Sequence, residues 1–500
     1  MYQNFLKITI LSVIGTGFAF IGYFTVKLYF KKRKYAHIPG PKPGGILGFY
    51  FGNLIEVLQY TKKGVMYPVY LQNCFLKFGP LFKIQLFDRI IIYSIDPKII
   101  ENGLLRKNYL KIPKLYRQVA FPYNIRFLGH GLLTETDTNI WKHQRAIFQP
   151  AFNKKVLMNY VSYFDSKADR LINRLRNLAY ENKYFDLKAE LNHTVMEIIA
   201  DVAFGMNLDC LNDKENDFNK NISIVLLSIQ NLFKNPLCQF LPNKKFEKAT
   251  KFLRQIGKEE ILKRINILND NGYARNDILS IILSSDYNCE KFDMEKMIDD
   301  FVTFFIAGIE TTTNSLTFCF YELCKNQQVL EKLRNEIDKT IGSKQTLNFE
   351  DLEKLEYTGN VFKETLRLWP TVPSLNRLID KETFIDQYLI PENTEISFST
   401  FCAHRNPKYY SSPSEFIPER FEIDPITKKN SIHAFTYFPF SLGPRNCLGQ
   451  NFATIEAKTI LAKIIQNFEI VLDPKQNLDV IYEVNLTLKD GIFCKLKLRN

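Results

Sequence analysis

No Asp or Glu occurs before Glu56, although seven Lys or Arg residues lie in the first 55 positions. The formal net charge of the 500-residue chain is +13, but beyond position 55 the balance is 59 basic to 53 acidic groups. A dense basic stripe is therefore missing, which excludes the usual footprint of a nucleic-acid binder. Gly/Ser-rich and Pro-rich linkers, internal repeats and low-complexity blocks are also missing, so nothing divides the chain into a string of separate domains. The nine Cys residues follow no repeating spacing, which excludes a disulfide framework and a zinc pattern. No Gly-rich dinucleotide fingerprint is present, so any electrons the chain uses have to come from a separate carrier. With 46% hydrophobic and 24% charged residues, the chain has enough apolar material for a sizeable core.

The one long uncharged run is Ile8–Val26, 19 residues. As a helix it is long enough to cross a bilayer core of ~30 Å. Lys31-Lys32-Arg33-Lys34 follows it and only Lys7 precedes it, so the positive-inside rule places the bulk of the protein in the cytoplasm. The run is long for a signal peptide, its charges lie on the wrong side, and no small-residue cleavage site follows. Residues 1–34 are thus expected to form a membrane anchor with a basic stop-transfer segment. Residues 35–45 contain Pro39-Gly40-Pro41-Lys42-Pro43, which cannot continue a helix and reads as a stiff hinge. Residues 46–500 form the expected catalytic body.

Within that body, Leu81–Leu86 and Ile90–Ser94 flank Phe87-Asp88-Arg89 and predict a short β-hairpin. From Trp141 to Thr340 apolar residues recur three and four apart, the helical pattern, with Met297–Asn326 as one long helix. Beyond Pro370, alternating stretches such as Glu395–Ser399 predict short strands. The expected fold class is mainly α with minor β.

The most informative stretch is Phe440-Ser441-Leu442-Gly443-Pro444-Arg445-Asn446-Cys447-Leu448-Gly449, just before an expected helix at Asn451–Phe468. A Cys ahead of a helix N-terminus feels the positive end of the macrodipole, which favours thiolate. Gly443 and Gly449 let the backbone approach, so that amide N–H groups can point at the sulfur. Such hydrogen bonds tune an iron-bound thiolate. Arg445 can reach an anionic group on the same cofactor. F-x-x-G-x-R-x-C-x-G fixes five positions, and its chance occurrence is on the order of 10⁻⁴ in a chain this long. It resembles the haem-binding signature of the cytochrome P-450 family.

That resemblance extends along the chain in family order. Ala307-Gly308-Ile309-Glu310-Thr311-Thr312 matches the family's oxygen-side pattern on a long helix. There a small residue leaves room for dioxygen, and an adjacent acid and hydroxyl, Glu310 and Thr311, can relay protons. Glu364-Thr365-Leu366-Arg367 supplies the Glu-x-x-Arg pair, and Pro418-Glu419-Arg420-Phe421 the element whose Arg420 would join Glu364 and Arg367 in a structural triad. Trp141-Lys142-His143-Gln144-Arg145 is similar to the W-x-x-x-R of the helix crossing the haem edge. The resemblance implies that Trp141, Arg145, Arg377 and Arg445 hold the propionates, as Arg does elsewhere for carboxylates. His143 and His404 are not expected to be ligands, because the family uses one Cys thiolate. Ala307 stands where one branch of the family often has a Glu that esterifies the haem, which argues against a covalent link.

The resemblance implies the cytochrome P-450 fold preceded by one transmembrane helix, haem b ligated by Cys447, and insertion of one oxygen atom from O₂ into a lipophilic molecule. Fatty acids, sterols and xenobiotics are the candidate substrates. It implies NADPH-cytochrome P-450 reductase as partner, with cytochrome b5 as a further candidate, at the endoplasmic reticulum membrane. Lys142, Lys154 and Lys155 are candidates for a basic docking face. By the same analogy Phe301, Phe304, Phe305, Val372, Leu375 and Leu486 wall the pocket. A haem-thiolate isomerase or dehydratase acting on peroxides, and a non-catalytic membrane haem sensor, are the alternative readings.

Overall fold

The computed structural model describes residues 2–499 apart from 214–215, 272–276, 287–292, 425–426 and 428–431. Its residues cluster into two compact units.

The first unit comprises Met1–Leu110 and Ser374–Ala403. It opens with helix α1, Tyr2–Lys34, whose last turn carries Lys31, Lys32, Arg33 and Lys34. Residues 8–14 and 17 of the uncharged run lie outside the described side chains. Among the described residues no helix is long and apolar enough to cross a membrane. Phe18, Phe20, Ile21, Tyr23 and Val26 are exposed, whereas Leu28 and Tyr35 are buried. A short helix, α2 (Gly45–Phe51), follows.

Strands β1 (Leu81–Leu86) and β2 (Arg89–Ser94) form the predicted hairpin, turning through Phe87 at φ 55°. With β3 (Leu375–Ile379) and β4 (Thr394–Phe398) they make one sheet in the order β1-β2-β4-β3. Only the β2–β4 pair is parallel, with Ile91 opposite Glu395. Ile92, Ile396 and Phe398 bury one face of it and Phe82, in register with Tyr93, and Ile84, in register with Ile91, bury the other, as the period of two dictates. The Pro-rich segment does not hang free. The Lys83 amide donates to the Pro39 carbonyl at 2.8 Å, and Gln85 and Asn53 exchange hydrogen bonds of 2.7 and 3.0 Å. The expected hinge is therefore laid along β1.

The second unit comprises Lys111–Pro373 and His404–Asn500. Its main helices are α3 (Thr138–Phe148), α4 (Val161–Glu181), α5 (Leu187–Phe204), α6 (Asp217–Lys234), α7 (Lys244–Asn271), α8 (Met294–Lys325), α9 (Glu356–Leu368) and α10 (Gln450–Asn467). The central one is α8, 32 residues long and packed against α5, α7, α9 and α10. Asp293 caps it by accepting from the amides of Glu295 and Lys296. Leu316, Phe318, Cys319 and Phe320 are fully buried along its second half, and Thr313, Asn314 and Thr317 are buried beside them, so this helix is enclosed nearly all round. Strands β5 (Phe468–Leu472), β6 (Val480–Tyr482), β7 (Leu486–Leu488) and β8 (Phe493–Leu498) form two small antiparallel groups, β5–β8 and β6–β7. The mainly helical class with a minor β portion is as expected.

Candidate active site

Cys447 lies two residues before Gly449, the residue at the N-terminus of α10. The loop ahead of it is closed by the Cys447 amide, which donates to the Phe440 carbonyl at 2.8 Å, and it turns through Ser441 at φ 64° and Gly443 at φ 72°. The positive φ is the reason for glycine at position 443. The Gly449 amide N–H is directed at the sulfur and stabilises its negative form, as does the charge of Arg145. Burial acts in the opposite direction and wins: the Cys447 thiol is pushed above its usual value. The expected thiolate preference at a helix N-terminus is thus present in its parts but outweighed, and an iron ion at the sulfur would have to supply the rest.

Cys447 is closely surrounded by protein, yet its side chain remains exposed. The same holds on α8, where Ala307 is exposed although Ile309 and Thr312 are buried. A reachable sulfur with an amide N–H directed at it is the donor set for a soft-liganded iron. Two buried polar atoms, Ser441 Oγ in the loop and Nε of Arg145, which binds the loop at Asn446, have no protein partner. The residues present fit a haem. Among the described residues no cluster of three or more His, Cys, Asp or Glu offers an alternative metal site.

The expected propionate residues divide. The Arg445 guanidinium carbon lies 3.9 Å from the centre of the Trp141 ring, and its Nη1 donates to the Glu135 carbonyl at 2.8 Å. Trp141 and Arg445 are thus brought together, a cation–π contact on a buried ring. Arg145 is directed elsewhere. Its Nη1 donates to the Asn446 carbonyl at 2.9 Å and its Nη2 to the Asn446 side-chain oxygen at 2.8 Å. It therefore clamps the cysteine loop, while its buried Nε is left without a partner in the protein. One turn of α3 separates Trp141 from Arg145, so one helix serves both purposes. Arg377 is a buried residue of β3 in the first unit, with Nη1 on the Asn376 carbonyl.

On α8, the Thr311 hydroxyl donates to the Ala307 carbonyl one turn back at 2.7 Å. The Glu310 carboxylate accepts from Asn485 Nδ2 at 3.1 Å and from Gln230 Nε2 at 3.5 Å. Burial raises its pKa, while Asn485, the Lys188 charge and Gln230 hold it down and Glu483 pushes it up. The acid and the hydroxyl are consecutive but have separate partners. Of the two small residues, Gly308 does not lie open: a Cβ there would meet Ile199 Cδ1 of α5 at 2.6 Å. Its smallness admits α5, and Ala307 alone is exposed.

The triad is assembled in full. Arg367 Nε and Nη2 meet the two Glu364 oxygens at 2.7 and 2.8 Å, and both side chains are completely buried. The remaining Arg367 hydrogens reach the carbonyls of His404, Pro413 and Glu415. Arg420 Nε approaches Glu364 at 3.3 Å, and Arg420 Nη2 holds the Ser412 carbonyl at 2.8 Å. His404, set aside as a ligand, is the next link. Its Nε2 accepts from the Phe438 amide at 2.9 Å, two residues before Phe440. Burial, then the charges of Arg367 and Arg405, lowers its pKa to about 3, so it stays neutral. The triad thereby supports the cysteine loop through one imidazole.

The expected pocket walls are mostly core. Phe301 and Phe305 are 2% and 1% exposed and pack in one aromatic cluster with Phe204, which Phe218 joins. Leu486 is fully buried with its amide on the Thr371 carbonyl. Phe304, half-buried, packs against Phe148 and Phe152, and Val372 is exposed. Leu375 begins β3 in the first unit. Sequence reasoning did not single out Asn446, Asn485, Gln230 or Glu456. Asn446 stood inside the quoted motif, whereas the other three carry no local signal.

A family model described as Cytochrome P450 matches residues 41–494. Cytochrome P450 4d2 of Drosophila melanogaster is 27% identical over 530 aligned positions, covering 98% of this chain and all of that protein. Cytochrome P450 3A28 of Bos taurus is 30% identical over 449 positions, 86% of this chain and 84% of the relative. Cytochrome P450 3A5 of Homo sapiens is 29% identical, with 86% and 85% covered.

Proposed function

This chain belongs to the cytochrome P450 family, enzymes that bind haem b through a cysteine thiolate and incorporate molecular oxygen, and on that premise we propose that it oxidises a lipophilic small molecule with Cys447 as the axial ligand. The observation that carries the reading is the sulfur of Cys447, exposed within a surrounding of protein and met by the Gly449 amide. When bound, haem supplies the activation of dioxygen, with one oxygen atom going to substrate and the other to water.

The chain's own residues supply orientation, exclusion of water and protons. The Gly449 amide and the Arg145 charge moderate the thiolate. Arg445, backed by Trp141, presents a guanidinium to a propionate, with Arg377 as a second candidate. Ala307 leaves room beside the iron. Glu310 holds a proton that passes to the Thr311 hydroxyl, which hands one on as it receives one. Glu364, Arg367 and Arg420 are structural. The substrate is a fatty acid, sterol or foreign compound, walled in part by Phe304 and Val372.

Electrons come from NADPH through a separate reductase, with cytochrome b5 as an additional donor. Residues 1–34 anchor the protein in the endoplasmic reticulum membrane with the remainder cytoplasmic. The uncharged run, the basic cluster after it and the exposed side chains from Phe18 to Phe30 support this.

The test is the absorption spectrum of the reduced protein with carbon monoxide, beside Cys447→Ala. A strongly red-shifted Soret band that disappears in the variant is expected. Retention of that band in Cys447→Ala removes the assignment. Reductase-dependent, substrate-stimulated NADPH consumption then separates a monooxygenase from a haem carrier.

A further inference from the structure

Glu310 is held from outside its own helix. Asn485, in the turn between β6 and β7, gives its amide to Glu310 Oε2 at 3.1 Å, and Gln230 of α6 approaches Oε1 at 3.5 Å. Two residues on from Asn485, Thr487 donates to Asn314 Oδ1 at 2.8 Å, and Lys188 Nζ donates to the Thr487 hydroxyl at 2.6 Å. Residues two apart on an extended segment share a face, and so do residues four apart on a helix. The pair Asn485 and Thr487 therefore docks on the pair Glu310 and Asn314. Leu486 points the other way, fully buried.

The two contacts are not equivalent. Thr487–Asn314 joins neutral groups and is itself backed by Lys188, so it suffices to set the hairpin's register on α8. Leu486 adds a buried apolar side chain and a main-chain bond to Thr371 at 2.9 Å. The hairpin is secured without Asn485, whose amide remains available to orient a carboxylate that Gln230 alone holds weakly at 3.5 Å.

We propose that Asn485 is a positioning residue for Glu310, fixing the direction in which this carboxyl points between the β6–β7 hairpin and α6. The inference rests on the reading of Glu310 as proton donor to Thr311, and it adds the residue that orients the donor. An acid free to rotate spends only part of its time within reach of its acceptor, and lost orientation lowers the rate of transfer. The groups that face Glu310 are Asn485 and Gln230 by hydrogen bonds, and Lys188 and Glu483 by charge.

The test uses the full-length holoprotein with its haem content verified. The carboxyl band of Glu310, assigned by its loss in Glu310→Gln, is titrated by infrared spectroscopy without substrate or reductase. In Asn485→Ala the midpoint rises, because a hydrogen bond to the charged form is gone, and Asn485→Gln brings it back toward wild type. In a second measurement, reductase and NADPH drive oxygen consumption in light and heavy water. Asn485→Ala and Glu310→Gln each enlarge the isotope effect, and the double variant matches Glu310→Gln alone. An unmoved midpoint in Asn485→Ala overturns the inference whatever the isotope effects, as does additivity in the double variant. A shifted midpoint with unchanged isotope effects in both single variants keeps Asn485 as the partner of Glu310 and removes Glu310 from proton delivery.

Discussion

Arg145 grips Asn446 twice, once on the carbonyl and once on the side-chain oxygen, at 2.9 and 2.8 Å. The residue next to Cys447 is thereby fixed by a planar fork on α3. Lys cannot reproduce two parallel bonds. Arg145→Lys is expected to lose about 1.5–3 kcal/mol, the usual range for hydrogen bonds involving a charged group. Asn446→Ala should cost a similar amount, and the two together should be clearly non-additive in urea unfolding. Haem should also dissociate faster from both variants. Simple additivity would show that the fork contributes nothing.

Glu364 and Arg367 have no exposed surface. Taking a charge out of such a pair leaves its partner buried and uncompensated, at a cost of ~3–5 kcal/mol. Glu364→Gln and Arg367→Leu should therefore give protein of low yield that binds little haem, even though neither residue touches the cysteine loop. Normal yield and normal haem content in either would contradict the support chain through His404.

Glu456 of α10 is fully buried, and among the described residues only the Thr312 side chain of α8 bears on its carboxyl. Burial raises its pKa well above the ordinary value, with Thr312 acting against the rise. The folded protein thus keeps a proton that the unfolded chain releases once pH exceeds its usual 4.5. The native state then binds more protons than the unfolded one, so stability falls as pH rises from that point toward the folded value, by about 1.4 kcal/mol per unit. Glu456→Gln should abolish this slope and be the more stable protein at pH 8, measured by thermal or urea unfolding. A variant less stable than wild type at pH 8 would mean that the carboxyl is ionised and paired.

Gly308 faces Ile199, whose Cδ1 would stand 2.6 Å from an added Cβ. The clashing atom is the end of a flexible side chain, so Gly308→Ala should cost only ~1 kcal/mol through overpacking, the low end of the usual range, offset by a gain of up to ~1 kcal/mol in helix propensity. Ile199→Val removes the clashing methyl and should recover most of the overpacking cost in the double variant. Failure of that rescue would place the cost elsewhere on α8.

Local patterns in the chain were sufficient for the elements. The hairpin at Leu81–Ser94 follows from alternation around a polar turn, and α8, expected at Met297–Asn326, spans Met294–Lys325. The i,i+3 spacing of Glu364 and Arg367 puts them on one helix face, whereas Arg420, 56 residues from Glu364, joins them by what the family resemblance implies. What the chain does not display is which of several arginines meets which acceptor. Arg145 and Asn446 are 301 residues apart, and Asn485 and Glu310 are 175 apart. No periodicity or motif carries such a contact, since it depends on how helices cross. The same holds for Phe301 and Phe305. A helical aromatic stripe is identical in sequence whether it faces a pocket or, as here, the Phe204 cluster.

Leu28 and Tyr35 are 2% and 4% exposed, and the Tyr35 hydroxyl meets Thr394 of β4 at 2.6 Å. The end of α1 is consequently a bracket bolted to the four-stranded sheet, not a rope. Tilting α1 would transmit torque to the sheet, and severing the chain after Lys34 would strip Leu28 from a core that the rest of the unit still needs. Truncations intended only to improve solubility should be placed before Leu28, and those placed after it will weaken the sheet as well as remove the start of α1.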